Sequence, residues 1–256
     1  MQKLLLDSVT YNVAIPLPLD SHKQTLVFLH DSLGCVELWR DFPIQLAQRT
    51  NCNVVIYDRQ GYGKSDPFTN AHRDRDYLAK EAHILNTILK ALKLTSCILF
   101  GHSDGGSIAL LAASFYSTTF KAIITEGAHV FVENETLQGI LTAKEAYKTT
   151  NLKQKLERYH GTKTEAVFTL WTETWLSKEF QDWDITKELK HIQCPSLIIQ
   201  GDQDEYGTNK QVETIIDYSS SKHAEAYILP NIGHSPHKEC PNLVLEKVSE
   251  FIANLQ

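Results

Sequence analysis

The stretch Ile98–Leu111, ILFGHSDGGSIALL, places a serine between glycines, after a short apolar run and ahead of a helix-like one. Gly101, Ser103 and Gly105 make a G-x-S-x-G pattern, which at ordinary glycine usage turns up by chance in roughly one chain in ten. Its surroundings raise it above chance. The apolar run ending at His102 reads as a buried strand, and SIALLAASF reads as a helix starting almost at once. Strand, sharp turn and helix are what a nucleophile elbow requires. The flanking glycines let the backbone turn tightly, while the helix N-terminus and the amide of Asp104 suit a developing oxyanion. The competing reading is a small-residue turn in which Ser103 caps the helix.

Working outward, similar short runs rich in β-branched residues recur at Thr25 to His30, Cys52 to Asp58, Lys121 to Gly127, Pro195 to Asp202 and Ala224 to Pro230. Bounded by Gly, Asp or Pro, they suit parallel strands buried on both faces. Leu78, Leu85, Leu89 and Leu92 mark one face of a helix between two of them, and Val244, Val248 and Phe251 do so after the last. This alternation predicts a doubly wound, mostly parallel α/β sheet. One interval breaks the rhythm, because residues 129–191 separate two strands where a crossover needs only about a dozen residues. Its helical composition, with Trp171 and Trp175 inside it, predicts a helical cap (129–191) inserted into a core of residues 1–128 and 192–256.

A serine hydroxyl needs a base and an acid to orient that base, in the chain order Ser, acid, His for this architecture. IIQGDQDEYG sets Asp202, Asp204 and Glu205 just beyond one strand, and LPNIGHSPHKECP sets His234 and His237 beyond the next. Loops at the carboxyl ends of parallel strands converge on one crevice, so these residues are the candidates.

Beside the GHSDGG elbow, four motifs in family order resemble the α/β-hydrolase superfamily, and the resemblance covers essentially the whole chain. They are LHDSLG (His30 to Gly34), YDRQGYGKS with Gln60 where arginine is common, Gly201/Asp204, and Gly233/His234. The elbow with Asp104 after the serine is most similar to the branch of valacyclovir hydrolase-like esterases. The resemblance implies Ser103 as nucleophile, His234 as base and Asp204 as acid, with oxyanion amides from Asp104 and from Ser32 or Leu33. It also leaves Glu126 as an alternative acid, since some members carry the acid one strand earlier. Asp31 stands where the family has glycine. His102, Asp104, Glu126, Trp171 and Trp175 are candidate pocket residues. A carboxylate at Asp104 could attract a cationic group such as the amine of an amino-acid ester, or it could simply cap the helix.

Composition narrows the function further. The 256 residues carry a formal charge of −6 with no basic block, which argues against a nucleic-acid partner. Five widely spaced cysteines and dispersed histidines predict neither disulfides nor a metal site, and no cofactor motif is present. No apolar run matches a signal peptide or a membrane span, so the expectation is a cytoplasmic protein acting on a small molecule, with a homo-oligomer left open. The chemistry expected is cofactor-free cleavage of a small carboxylic ester through an acyl-enzyme. The alternatives are C–C hydrolysis of a β-diketone-like acid, or a slow-turnover ligand receptor on the same fold.

Overall fold

The computed structural model describes residues 1–255. Eight strands form one sheet: β1 (Gln2–Leu6), β2 (Val9–Ala14), β3 (Thr25–Leu29), β4 (Asn53–Asp58), β5 (Cys97–His102), β6 (Phe120–Glu126), β7 (Ser196–Gly201) and β8 (Ala224–Leu229). Their order is β1-β2-β4-β3-β5-β6-β7-β8, with β1 and β2 antiparallel at one edge and the rest parallel. The six strands expected from the sequence are β3 to β8, within a residue or two at each end. The N-terminal hairpin was not anticipated.

The helices are α1 (Phe42–Thr50), α2 (Tyr77–Ala91), α3 (Asp104–Phe115), α4 (Asn134–Thr149), α5 (Leu152–His160), α6 (Thr164–Trp175), α7 (Lys178–Gln181), α8 (Thr186–Leu189), α9 (Asn209–Tyr218), α10 (Pro236–Glu239) and α11 (Pro241–Ala253). The two-residue period of the central strands divides the core into two layers. Leu26, Phe28, Ile98 and Phe100 face α1 and α11, where Phe42, Leu46, Val244 and Val248 cover them. Val27, Leu29 and Leu99 face the other way, onto Leu78 and Leu85 of α2 and Ile108 of α3. Helix α3 is buried around nearly its whole circumference, from Asp104 to Ser114, because the sheet lies on one side and further helices on the other.

Helices α4 to α8 all lie between β6 and β7, which are sheet neighbours. An isolated bridge between Phe131 and Asp184 ties the two ends of this segment together. Inside it Phe180 lies 4.9 Å from the Trp175 ring and stacks on Trp183 at 5.3 Å, and these rings continue the core formed by α2, α3 and that face of the sheet. No described helix is long and apolar enough to cross a membrane.

Candidate active site

The elbow comes first, because sterics alone set it apart. Ser103 follows β5 at φ 55° and ψ −120°, a positive-φ conformation that costs a non-glycine residue about 1–3 kcal/mol. Its surroundings over-determine that conformation. The Ser103 amide donates to the Glu126 carbonyl at 2.8 Å, and the Ser103 carbonyl accepts from Gly106 and Ser107 at 2.8 and 3.1 Å. The glycines are demanded by close approach: a Cβ on Gly101 would lie 2.2 Å from the Gly105 carbonyl oxygen, and one on Gly105 would lie 2.0 Å from that of Leu29. The Ser103 side chain makes no capping hydrogen bond, so its hydroxyl is left uncommitted at the tip of the turn.

Beyond β7, the Asp204 carboxylate is buried and accepts from the Tyr206 amide at 2.8 Å and from Gln200 Nε2 at 2.7 Å. It also sits 2.8 and 2.9 Å from His234 Nδ1. Since the carboxylate accepts, Nδ1 carries the proton and Nε2 is the free nitrogen of the neutral ring. Burial on its own would pull the His234 pKa down. The charge and hydrogen bond of Asp204, helped by Glu205 and Asp31, outweigh it and hold the imidazole above its ordinary value of 6.5. Burial likewise works to raise Asp204, but His234, His129 and the Tyr206 amide bring it below the usual carboxylate value. Asp202 instead accepts from the Asn231 amide at 2.7 Å, and the exposed Glu205 from the His234 amide at 3.3 Å.

The third part is a tight turn over residues 31–34, closed by a 3.2 Å bond from the Gly34 amide to the Asp31 carbonyl. The amides of Ser32 and Leu33 in this turn, and of Asp104 at the start of α3, donate to no other group among the described residues. Ser103, Asp104, Ser32, Leu33 and His234 line one cavity of about 200 Å³.

Residues 24–179 match the family model of the α/β hydrolase fold. The chain belongs to the α/β-hydrolase family. It is a hydrolase of that fold, and its relatives agree. It is 28% identical to the human serine hydrolase BPHL over 193 residues, covering 72% of this chain and 64% of the human protein. Among solved structures it superposes on MGS-M2, an α/β hydrolase from a Medee basin deep-sea metagenome library, with TM-score 0.80 at 20% identity over 99% of this chain and 98% of that one. A similar likeness, TM-score 0.79 at 19% identity over 99% and 98%, links it to a structure from a study of carboxylesterases of an ammonia-oxidizing thaumarchaeon, Nitrososphaera. At these identities the structural matches speak for the fold alone.

In this α/β hydrolase the cavity is also lined by Trp171, Trp175, His129, Tyr206, Asp31 and Glu205. Of the residues singled out for the pocket, Asp104, Trp171 and Trp175 lie in its wall, whereas His102 and Glu126 are not among its lining residues. His102 donates from Nε2 to the His234 carbonyl at 2.8 Å. Glu126 pairs with His237 Nδ1 in a fully buried contact. The dispersed residues His102, Glu126 and His237 thus converge, with one potential ligand atom of each within 4.8 Å of the others. Two of these groups are already committed to each other and the third to a carbonyl.

Asp104 does not cap its helix with its side chain. Its Oδ2 lies 3.4 Å from Arg59 Nη1 and accepts from the Tyr77 hydroxyl at 3.1 Å, and that hydroxyl in turn accepts from Trp175 Nε1 at 2.8 Å. Oδ1 is buried without a partner among the described residues. The sequence reading looked for an arginine at Gln60 and missed Arg59 beside it, which is buried and also donates to the Asp31 carbonyl at 2.8 Å. His129 was missed as well. Its Nε2 donates to the Tyr206 carbonyl at 3.0 Å, and the buried Nδ1 lone pair of this cavity-lining residue has no partner among the described residues. Burial lowers its pKa, so the ring stays neutral and accepting.

Proposed function

We propose that this hydrolase cleaves a small carboxylic ester through an acyl-enzyme, with Ser103 as nucleophile, His234 as base and then acid, and Asp204 as the group that orients His234. The observation that carries this reading is an uncommitted serine on a strained elbow sharing one cavity with an imidazole already held by a buried carboxylate. Ser103 Oγ attacks the ester carbonyl as His234 Nε2 takes its proton. The oxyanion receives the amides of Asp104 and of Ser32 or Leu33. His234 then returns the proton to the departing alcohol, and a water molecule activated by the same nitrogen releases the acid. Residues 129–191 serve in this reading as a cap domain over a core of residues 1–128 and 192–256.

The cavity also favours a substrate type. At about 200 Å³ it is smaller than the roughly 300–1,000 Å³ of common ligand pockets. Asp31, Asp104 and Glu205 line it, and no Lys or Arg does so among the described residues. Such a lining disfavours the anionic β-diketone acids of the C–C reading. Arg59 neutralises much of the charge on Asp104, but Asp104 Oδ1 and His129 Nδ1 remain as buried acceptors, which suits an acyl group carrying an N–H donor, as in an amino-acid ester. The test compares p-nitrophenyl esters of small amino acids, of the matching unsubstituted acids and of acids with a free carboxylate. Many turnovers are expected, with kcat/KM about 10-fold or more higher for the aminoacyl ester. Preference for the carboxylate-bearing ester would favour the C–C reading, and release of one product per chain would favour the receptor.

A further inference from the structure

We infer that His160, a residue of the helical segment between β6 and β7, is a positioning residue for the oxyanion turn. The inference rests on the ester-hydrolase reading above. His160 ends α5, is 2% exposed, and spans two loops of the sheet with one ring. Its Nδ1 accepts from the Gly63 amide at 3.0 Å, so its Nε2 must carry the proton, which it donates to the Leu33 carbonyl at 2.9 Å. Burial drives its pKa below the ordinary value and keeps this tautomer neutral.

The turn explains why that bond matters. In a four-residue turn the central peptide is the one that rotates between turn types, and here its N–H belongs to Leu33. Both flanking peptides are anchored. The Asp31 carbonyl, on the peptide that carries the Ser32 N–H, accepts from His30 Nδ1 at 2.8 Å, from Arg59 at 2.8 Å and from Gly34 at 3.2 Å. The Leu33 carbonyl, on the other flanking peptide, is held by His160. Three of these four bonds come from the sheet's own loops, and only the fourth comes from the helical segment. His160 therefore joins the docking of that segment to the direction in which the Leu33 amide points. Lys163, one turn further on, pins the same segment down by donating to the carbonyls of Tyr62 and Ser65.

The experiment uses the full chain as wild type, His160→Gln and His160→Leu. Three quantities are read: kcat and KM for p-nitrophenyl butyrate, and Ki for a trifluoromethyl ketone against its methyl ketone counterpart. Only the trifluoromethyl ketone gives a stable tetrahedral adduct whose oxygen occupies the oxyanion position. His160→Leu is expected to lower kcat about 10- to 100-fold and to raise the trifluoromethyl ketone Ki by a similar factor, with KM and the methyl ketone Ki changed less than about threefold. His160→Gln keeps an N–H donor for the Leu33 carbonyl and should recover much of both losses. If His160→Leu does not fold, the Gln variant carries the test, because partial loss of trifluoromethyl ketone affinity at unchanged methyl ketone affinity is the same signature. Equal weakening of both ketones, or none, would overturn the inference. Failure of the wild type itself to prefer the trifluoromethyl ketone would instead overturn the ester-hydrolase reading, and this inference with it.

Discussion

Two acid–imidazole pairs lie near the elbow, and substitution separates their roles. The Glu126 side chain is 0% and that of His237 3% exposed. The His237 ring is boxed by Trp39, His102 and Phe42 at centroid distances of 4.6, 4.9 and 5.6 Å. Glu126→Ala strands a buried ring N–H and opens a cavity, and removing one member of such a pair costs about 3–5 kcal/mol. At about 2–4 °C per kcal/mol for a chain of this size, Tm should fall by about 6–20 °C. Glu126→Gln keeps an acceptor in place and should lose about 1–2 kcal/mol, the difference between a charge-assisted and a neutral hydrogen bond. Because the pair does not line the cavity, kcat per folded molecule should stay within about threefold in both variants. Asp204→Asn reverses the pattern, keeping most of its packing while kcat falls by about 10⁴, the loss typical of a triad acid. Thermal melts and p-nitrophenyl butyrate turnover below every midpoint measure both effects. If the Glu126 variants lose turnover while Asp204→Asn retains it, the acid has been misassigned. If Glu126→Ala melts within about a degree of wild type, the burial argument fails.

Other outcomes follow from the same geometry. Ser103→Gly should abolish turnover yet raise Tm by a few degrees, because glycine tolerates φ 55° where serine is strained by about 1–3 kcal/mol; calorimetry showing a lower Tm would argue that the elbow is relaxed. Gly105→Ala forces a methyl group 2.0 Å from the Leu29 carbonyl oxygen and should destabilise the chain by more than about 3 kcal/mol, read by chemical denaturation. With the His234 pKa raised, kcat/KM should rise with pH through a midpoint above 6.5, and Asp204→Asn should move that midpoint down, since burial then prevails. The sign for stability follows from the same shift: the raised imidazole contributes below its unfolded value near 6.5 and loses that contribution as pH climbs through the folded one. The Tm gap between wild type and Asp204→Asn should therefore be wider at pH 6 than at pH 9; a gap that widens upward would contradict it.

What could be read from the sequence, and what could not, divides along physical lines. Strands β3 to β7 are buried along both faces and announce themselves as apolar runs. The β1–β2 hairpin escaped because β1 is an edge strand with mostly exposed residues, so it shows no sustained apolar pattern. Its two-residue turn has positive φ at Asp7 and Ser8 (46° and 67°), without the glycine that usually marks such a turn. The elbow and the loops after β7 and β8 were legible because short motifs create them locally. Arg59 on Asp104, Glu126 on His237 and His160 on Leu33 join residues 45, 111 and 127 positions apart. Nothing in a local pattern records such pairings. His129 could have been suspected only as a polar residue just beyond the carboxyl end of β6, where crevice-lining groups gather.

The most direct test of the central claim is to treat the wild type with a fluorophosphonate, digest it and locate the adduct by mass spectrometry, alongside Ser103→Ala and His234→Ala. The wild type should carry a single phosphonylated serine, at position 103, with no labelling of Ser103→Ala and much slower labelling of His234→Ala. Labelling of Ser103→Ala at the wild-type rate, or an adduct on another residue, would contradict it.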